Sequence, residues 1–524
     1  LGDTVPRYRV TDLGDATAAG NNDSAGLAIN NHGQVVGWTD ADDGQGGMIQ
    51  LGFIWLPEPA FNLPAGMNVL PALQGDDESR ANDINDSTIV VGSSGSSVDA
   101  VLWLPEAHPD LPDVEPWTAT ALPGLFKPSS SATGIDHVSD YIGIVGQWGE
   151  DPVPPPGACE FGFYWRSEGE SQFNVVDIAP PGYSSFDINS ISTNAQSGRV
   201  RIVGAGSTGC PGVAPLCEPD PQLDFGDALG WIEEPDGELL PVKLDQATTF
   251  EFEYDAEAND VTVNGTTVGW AMQYYDGSPA GCRQRAAYWL AVSSVIPAVN
   301  LHLAVPEGGQ DPLLPGNDFS VANAIRNDGL QVVGSAASPP RALLWEWNGA
   351  QWLISDLRAE VDTQTDASGE DWLFLEAEDV NDDGWIVGTG EHDGNQHAFL
   401  LVPLGDCPED VNRDGVVNET DLDLVTLPGS HGTPCPAGEI CWRDVNGDAI
   451  IDGYDRRLVI RKLGTACGDP GPGDEMVEMI EAWQAVGGDE ALVNGTITVE
   501  QVDTAMRNET IEERIAELLS LLEN

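Results

Sequence analysis

Two short stretches late in the chain carry its most specific chemistry. In Asp410-Val411-Asn412-Arg413-Asp414-Gly415-Val416-Val417-Asn418-Glu419-Thr420-Asp421, oxygen-bearing side chains stand at loop positions 1, 3, 5, 9 and 12. Gly415 supplies the sharp turn at position 6. Ca²⁺ takes six to eight hard oxygen ligands, and in a loop of this register the seventh residue, Val416, contributes its backbone carbonyl. A second copy repeats the spacing with Asp444, Asn446, Asp448, Asp452 and Asp455, Ile450 standing at the seventh position and Ala449 replacing the turn glycine. Two calcium sites are therefore expected, formed by Asp410, Asn412, Asp414, Val416, Asn418 and Asp421 and by Asp444, Asn446, Asp448, Ile450, Asp452 and Asp455.

Other reactive constellations are scarce. No HExxH, GxSxG, Walker A or dinucleotide-binding pattern occurs, and the chain has only seven histidines. His32 sits in a repeated turn and His397 in a repeated strand phrase, positions that suit structural roles. With 86 acidic residues, carboxylate pairs arise by chance and identify nothing. Eight cysteines, Cys159, Cys210, Cys217, Cys282, Cys407, Cys435, Cys441 and Cys467, form no CxxC pair. Disulfides in an oxidising compartment are the expectation, within each group of four, although connectivity stays open. Asn/Asp-rich turns such as Asn381-Asp382-Asp383 and Asn327-Asp328 read as hairpin turns with side chain to backbone bonding, with calcium as the other option.

The elements that carry these residues are set by an internal repeat. A short apolar strand, an Asn/Asp/Gly turn, a second β-branched strand and a closing glycine recur seven times. Examples are Ala28-Ile-Asn-Asn-His-Gly-Gln-Val-Val-Gly37, Asn82-Asp-Ile-Asn-Asp-Ser-Thr-Ile-Val-Val-Gly92 and Asp379-Val-Asn-Asp-Asp-Gly-Trp-Ile-Val-Gly388. This is the pattern of a hairpin. An aromatic strand follows each one, as in Phe53-Ile-Trp55, Val101-Leu-Trp103 and Leu343-Leu-Trp345, and then a fourth apolar segment, which is missing after the last unit. The missing copy stands at the other end, Tyr8-Arg-Val-Thr-Asp-Leu-Gly14. Four strands in units of about 50 to 65 residues describe propeller blades. The expected fold is mainly β: a seven-bladed β-propeller over residues 1–406 with the N-terminal strand closing the last blade. A β-helix or an open string of sandwiches is the alternative.

The repeat resembles the HAF-type probable extracellular repeats of bacteria, whose Ala-x-x-Ile-Asn-x-x-Gly-x-Val-Val-Gly phrase is matched within residues 28–37 over its Ile-Asn-x-x-Gly-x-Val-Val-Gly part, and whose His-Ala-Phe-Leu-Trp phrase is matched over its first four residues by His397-Ala-Phe-Leu400. The resemblance implies a secreted propeller and assigns no activity. Blades three to five depart most from it, with longer insertions that hold the four middle cysteines. The calcium loops end in Asp at position 12 rather than the Glu of an EF-hand. With Leu422-Asp-Leu424 and Leu458-Val-Ile460 opening helices after them, residues 407–467 resemble a type I dockerin, a small α-helical module that in its family docks onto a cohesin. Residues 468–474 read as a stiff linker. The extension 475–524 reads as amphipathic helices, with Ile511, Ile515, Leu518, Leu519 and Leu522 on one face.

Composition narrows the function. The 86 Asp+Glu against 21 Lys+Arg give a formal charge of −65, which repels nucleic acid and anionic lipid. No apolar run is long enough for membrane insertion. The chain starts at Leu1, which fits removal of a targeting segment. The expected role is a secreted, extracellular or cell-surface, non-catalytic interaction or assembly protein. Its calcium module would meet a cohesin-like receptor or another copy of the chain, and its propeller a polysaccharide or matrix ligand. One alternative is a propeller-fold glycoside hydrolase or polysaccharide lyase anchored by the same module. Another is a filament subunit joined head to tail through the C-terminal extension.

Overall fold

A computed structural model describes most of residues 8–403, apart from several loops, the longer ones being 150–159, 208–226, 245–255, 275–281, 291–298, 307–318 and 362–371. Beyond Pro403 it describes only Val416–Val417, Leu422, Thr433–Pro434, Ile450–Ile451, Val459 and Thr465–Ala466. The expected linker, the helical extension 475–524, and all of the cysteines except the strand backbone of Cys282 lie outside the described residues. The chain divides into two compact units, Leu1–Val361 with Asp371–Pro403, and Asp362–Glu370 with Leu404–Asn524.

The first unit is a seven-bladed β-propeller. Blade one consists of Ser24–Ile29, Val35–Asp42, Met48–Leu56 and Gly66–Leu70, and blade two of Ser79–Ile84, Val90–Ser94, Asp99–Trp103 and Thr120–Ala121. Blade three is Ser130–Ile135, Gly143–Gly149, Glu160–Ser167 and Phe173–Ile178, and blade four Ser185–Asn194, Arg199–Ser207, Asp227–Glu233 and Leu239–Lys243. Blade five is Ala256–Val261, Thr267–Tyr274, Cys282–Trp289 and Val299–Asn300, and blade six Ser320–Ile325, Gln331–Ala337, Pro340–Trp347 and Trp352–Asp356. Blade seven takes Leu373–Val380, Ile386–His392 and Asn395–Pro403 from one end of the unit and Tyr8–Gly14 from the other. Tyr8–Gly14 runs antiparallel to Asn395–Pro403, with Tyr8 opposite Pro403. Blade six gains a fifth strand that the repeat does not announce: Val305–Pro306 adds parallel to Trp352–Asp356. Pro306 lacks an N–H, which suits it to this edge.

The core is divided among the seams. Seven buried apolar clusters lie one between each pair of neighbouring blades. The repeated tryptophan of the third strand wedges into them. Trp103, Trp165, Trp231, Trp289 and Trp345 are each 2 % exposed or less. A buried indole still needs an acceptor. The indole N–H groups of Trp103, Trp165 and Trp345 donate to the carbonyls of Pro71, Pro123 and Leu301 in the preceding blade, at 2.9, 2.8 and 3.0 Å. A serine in the first strand completes the seam. The Ser24, Ser79, Ser130 and Ser320 hydroxyls accept from the N–H groups of Ala398, Gly52, Ala100 and Ala286 in the neighbouring blade, at 3.0 to 3.1 Å.

The closing glycine of the repeat is required by a close approach. Every first strand carries a β-bulge, at Leu27, Asn82, Thr133, Asn189, Asn259, Asn323 and Glu378. The bulge pushes the carbonyl two residues before it against the paired strand. A Cβ on Gly37, Gly204 or Gly269 would lie 1.9, 2.0 and 1.9 Å from the carbonyl oxygens of Ala25, Asp187 and Glu257.

Few residues of the second unit are described. Val416–Val417 pairs antiparallel with Thr465–Ala466, and Thr433–Pro434 pairs antiparallel with Ile450–Ile451. Leu422 and Val459 have helical backbone, and Val459 is fully buried.

Candidate functional site

The first strands of all seven blades line an axial cavity of about 170 Å³. That is below the roughly 300–1,000 Å³ of sites that enclose drug-sized ligands. Two adjacent positions of the repeat dominate the wall. The first is the bulged residue, which the extra residue turns away from its own ladder and toward the next blade. The amides of Asn82, Asn189, Asn259 and Asn323 donate to the carbonyls of Ala132, Ala258, Ala322 and Ala377 at 2.7, 3.0, 3.0 and 3.0 Å. The Thr133 hydroxyl donates to the Ile188 carbonyl at 2.6 Å. Five successive blade junctions are thus joined by one kind of bond.

The second position holds Asp83, Asp260 and Asp379. Their Oδ1 atoms each accept from the following N–H, of Ile84, Val261 and Val380, all at 2.7 Å. Their Oδ2 atoms accept from Ile135, Ile325 and Ile29 of the next blade at 2.8, 2.9 and 2.8 Å. The receiving blades have Gly134, Ala324 and Ala28 at this position, which leaves room for the incoming carboxylate. Ser190 fills it in blade four and donates its hydroxyl to Asp260 at 2.8 Å. These carboxyl groups have a structural role, held by backbone donors as a helix cap would be.

Glu378 breaks the pattern. It occupies the bulge position where five other blades carry a neutral donor, and an ionised carboxylate can only accept. Burial, reinforced by Glu376 and Asp379, raises its pKa from 4.5 to about 8, with Arg80 of blade two pulling the other way. The Glu378 carboxyl is therefore largely protonated around neutrality, so it can donate like the asparagines. Glu376 and Glu257 line the same axis two residues earlier in the repeat. Glu257 accepts from Asn189 and from the Trp270 indole at 2.8 and 3.2 Å, and Glu376 accepts from Asn323 and Ser335 at 3.3 Å each. Glu378 was not singled out from the sequence. The signal was present as an acid in a column of asparagines.

At the turn end of the cavity the Asn/Asp residues behave as hairpin turns. The Asn30 and Asn381 side-chain oxygens each accept from two N–H groups of their own turn at 2.9 to 3.1 Å. Their amides link blades: Asn381 donates to the Asn30 carbonyl and Asn30 to the Asn85 carbonyl, both at 3.0 Å.

Of the expected calcium ligands, Val416 and Ile450, the two seventh-position residues, lie in the two short ladders of the second unit. Asp410, Asn412, Asp414, Asn418, Asp421, Asp444, Asn446, Asp448, Asp452 and Asp455 lie outside the described residues. The donor set itself fits Ca²⁺, being made of carboxylate, amide and backbone oxygens.

No family model matches the chain, and no curated protein matches it. Solved structures do. A gluconolactonase from Xanthomonas campestris is 11 % identical, with 76 % of this chain and 91 % of that one covered at a TM-score of 0.31. The β-propeller domain of the Trilobed protease from Pyrococcus furiosus is 11 % identical, with 76 % and 94 % covered at a TM-score of 0.37. The α-L-arabinanase of Penicillium chrysogenum is 10 % identical, with 76 % and 99 % covered at a TM-score of 0.34.

Proposed function

We propose that the chain is a secreted, calcium-binding interaction protein, in which a propeller of HAF-like repeats serves as a binding scaffold and residues 407–467 form a dockerin-like attachment module. The observation that carries this reading is the matched pairing in the second unit. The seventh and eighth residues of loop one, Val416–Val417, pair with Thr465–Ala466 beyond loop two, and those of loop two, Ile450–Ile451, pair with Thr433–Pro434 beyond loop one. Each repeat thus clasps the segment that follows the other, an arrangement expected of two equivalent halves. Asp410, Asn412, Asp414, Asn418 and Asp421, and Asp444, Asn446, Asp448, Asp452 and Asp455, would hold one Ca²⁺ each, with the Val416 and Ile450 carbonyls. Bound Ca²⁺ supplies the positive charge that lets these carboxylates sit together. The axial wall favours a scaffold as well, because Asp83, Asp260 and Asp379 have both oxygens engaged by backbone N–H groups. The partners are a cohesin-like receptor or a second copy at the module, and a polysaccharide or matrix ligand on the propeller.

Calorimetric titration of the full chain with Ca²⁺ tests this. Two sites are expected, with Asp410→Ala and Asp444→Ala each removing one, and a chain that takes up no calcium rejects the proposal. One observation favours the hydrolase reading. Glu378, whose pKa burial raises, stands two residues from Glu376 on one strand, and glycosidases use two carboxyl groups. Turnover on polysaccharide that Glu378→Gln abolishes would put that reading first.

A further inference from the structure

The closing blade holds a cluster for which the scaffold reading has no role. Asp12 on Tyr8–Gly14, His397 on Asn395–Pro403 and His392 at the end of Ile386–His392 come from three adjacent strands. The His392 Nδ1 lies 3.1 Å from Asp12 Oδ2, and the His397 Nδ1 lies 3.1 and 3.0 Å from the two Asp12 oxygens. One donor atom from each residue falls within 4.8 Å of the other two.

The three side chains are held in place. The Gly14 N–H donates to Asp12 Oδ1 at 2.8 Å. The His392 ring lies flat on buried Trp372, with centroids 4.6 Å apart and planes 3° from parallel. His397 is only 5 % exposed, and its Nε2 is buried without a hydrogen-bond partner, so the ring's polar contacts run through the Nδ1 edge that faces Asp12. Two imidazole nitrogens and a carboxylate oxygen make a donor set for zinc-class ions, unlike the all-oxygen sets that Ca²⁺ prefers. Bonds of about 2.0–2.1 Å place tetrahedral donors roughly 3.3 Å apart. The spacing between Asp12 and each histidine is already within a few tenths of an ångström of this.

The geometry points to a binding site for a divalent ion of the zinc class formed by Asp12, His392 and His397, fastening Tyr8–Gly14 to the hairpin that it closes. With three protein ligands, a fourth position is left for water. This site is independent of the calcium loops and of the scaffold reading.

The test uses the full chain saturated with Ca²⁺, so that the oxygen-rich loops are filled, and titrates it with Zn²⁺. The wild-type chain is expected to bind one Zn²⁺ more than tenfold tighter than His392→Gln does, a loss of the size that damage to metal shells produces. Co²⁺ should give visible bands in the wild type that His392→Gln and Asp12→Asn lack. Zn²⁺ should also slow amide hydrogen exchange in Tyr8–Gly14. Equal Zn²⁺ affinity in wild type and variant, or identical Co²⁺ spectra, overturns the site and leaves a hydrogen-bonded latch. Should the variants fail to fold, exchange in the wild-type chain decides. No slowing of Tyr8–Gly14 by Zn²⁺ then rejects the proposal.

Discussion

Replacing Glu378 by glutamine should stabilise the propeller, and increasingly so as pH rises. Four blades place an asparagine amide at this bulge, and by register the matching carbonyl in blade one belongs to Gly26. Glutamine supplies a permanent N–H there, whereas glutamate supplies a donor only while protonated. Below pH 4.5 the acid is protonated folded and unfolded, and it contributes no pH dependence. Between 4.5 and about 8 the unfolded chain has released a proton that the folded one retains. Stability then falls by about 1.4 kcal/mol per pH unit. The ceiling is on the order of 5 kcal/mol, and solvent in the axial cavity reduces it to roughly 2–4 kcal/mol. Thermal unfolding of both chains at pH 5 and pH 8.5, at fixed calcium, reads the effect. Titrating groups distant from residue 378 are shared and cancel in the difference, whereas Glu376, Asp379 and Arg80 respond to its charge and contribute to it. Near-equal melting temperatures are expected at pH 5, with a variant several degrees higher at pH 8.5. A difference that does not grow with pH would refute a buried, protonated Glu378.

Gly269→Ala should cost more than about 3 kcal/mol, since its Cβ would fall 1.9 Å from the Glu257 carbonyl oxygen. A melting temperature unchanged from wild type would show that the bulge relaxes freely. Asp260→Ala strips acceptors from the N–H groups of Val261 and Ile325, and a loss of about 2–4 kcal/mol is expected by denaturant unfolding. Trp345→Phe frees the Leu301 carbonyl and shrinks a fully buried side chain, so a loss of about 2–3 kcal/mol should appear in the same assay. Chelation by EDTA should lower the melting temperature of the wild-type chain and leave that of a chain carrying both Asp410→Ala and Asp444→Ala where it was.

The propeller was legible because its information is local. Hairpin turns, the third-strand tryptophan and the bounds of Tyr8–Gly14 all follow from short patterns. What escaped depends on the neighbouring blade. Asn82, Asn189, Asn259 and Asn323 look like turn formers in a sequence, but a bulge aims each at a carbonyl some 50 to 70 residues away. The closing glycine reads as the end of a hairpin, and its cause is a clash on the opposite strand. Val305–Pro306 is two residues long and carries no periodicity at all. His397 reads as part of a strand phrase because Asp12, which faces it, lies 385 positions earlier. Among the loop residues expected to bind calcium, only Val416 and Ile450 are described, each in a two-residue ladder.

The shared seventh blade also fixes an order of events during synthesis. Tyr8–Gly14 leaves the ribosome early and lacks its ladder strand until Asn395–Pro403 has been translated. Tying such distant segments together costs on the order of 5 kcal/mol in loop entropy, recovered only when the ring is whole. Nascent chains therefore carry an orphan edge for most of their elongation. A variant that moves Tyr8–Gly14 to a position directly behind Pro403, joined by a short turn, would make this strand pairing a local hairpin and should reach the native ring faster.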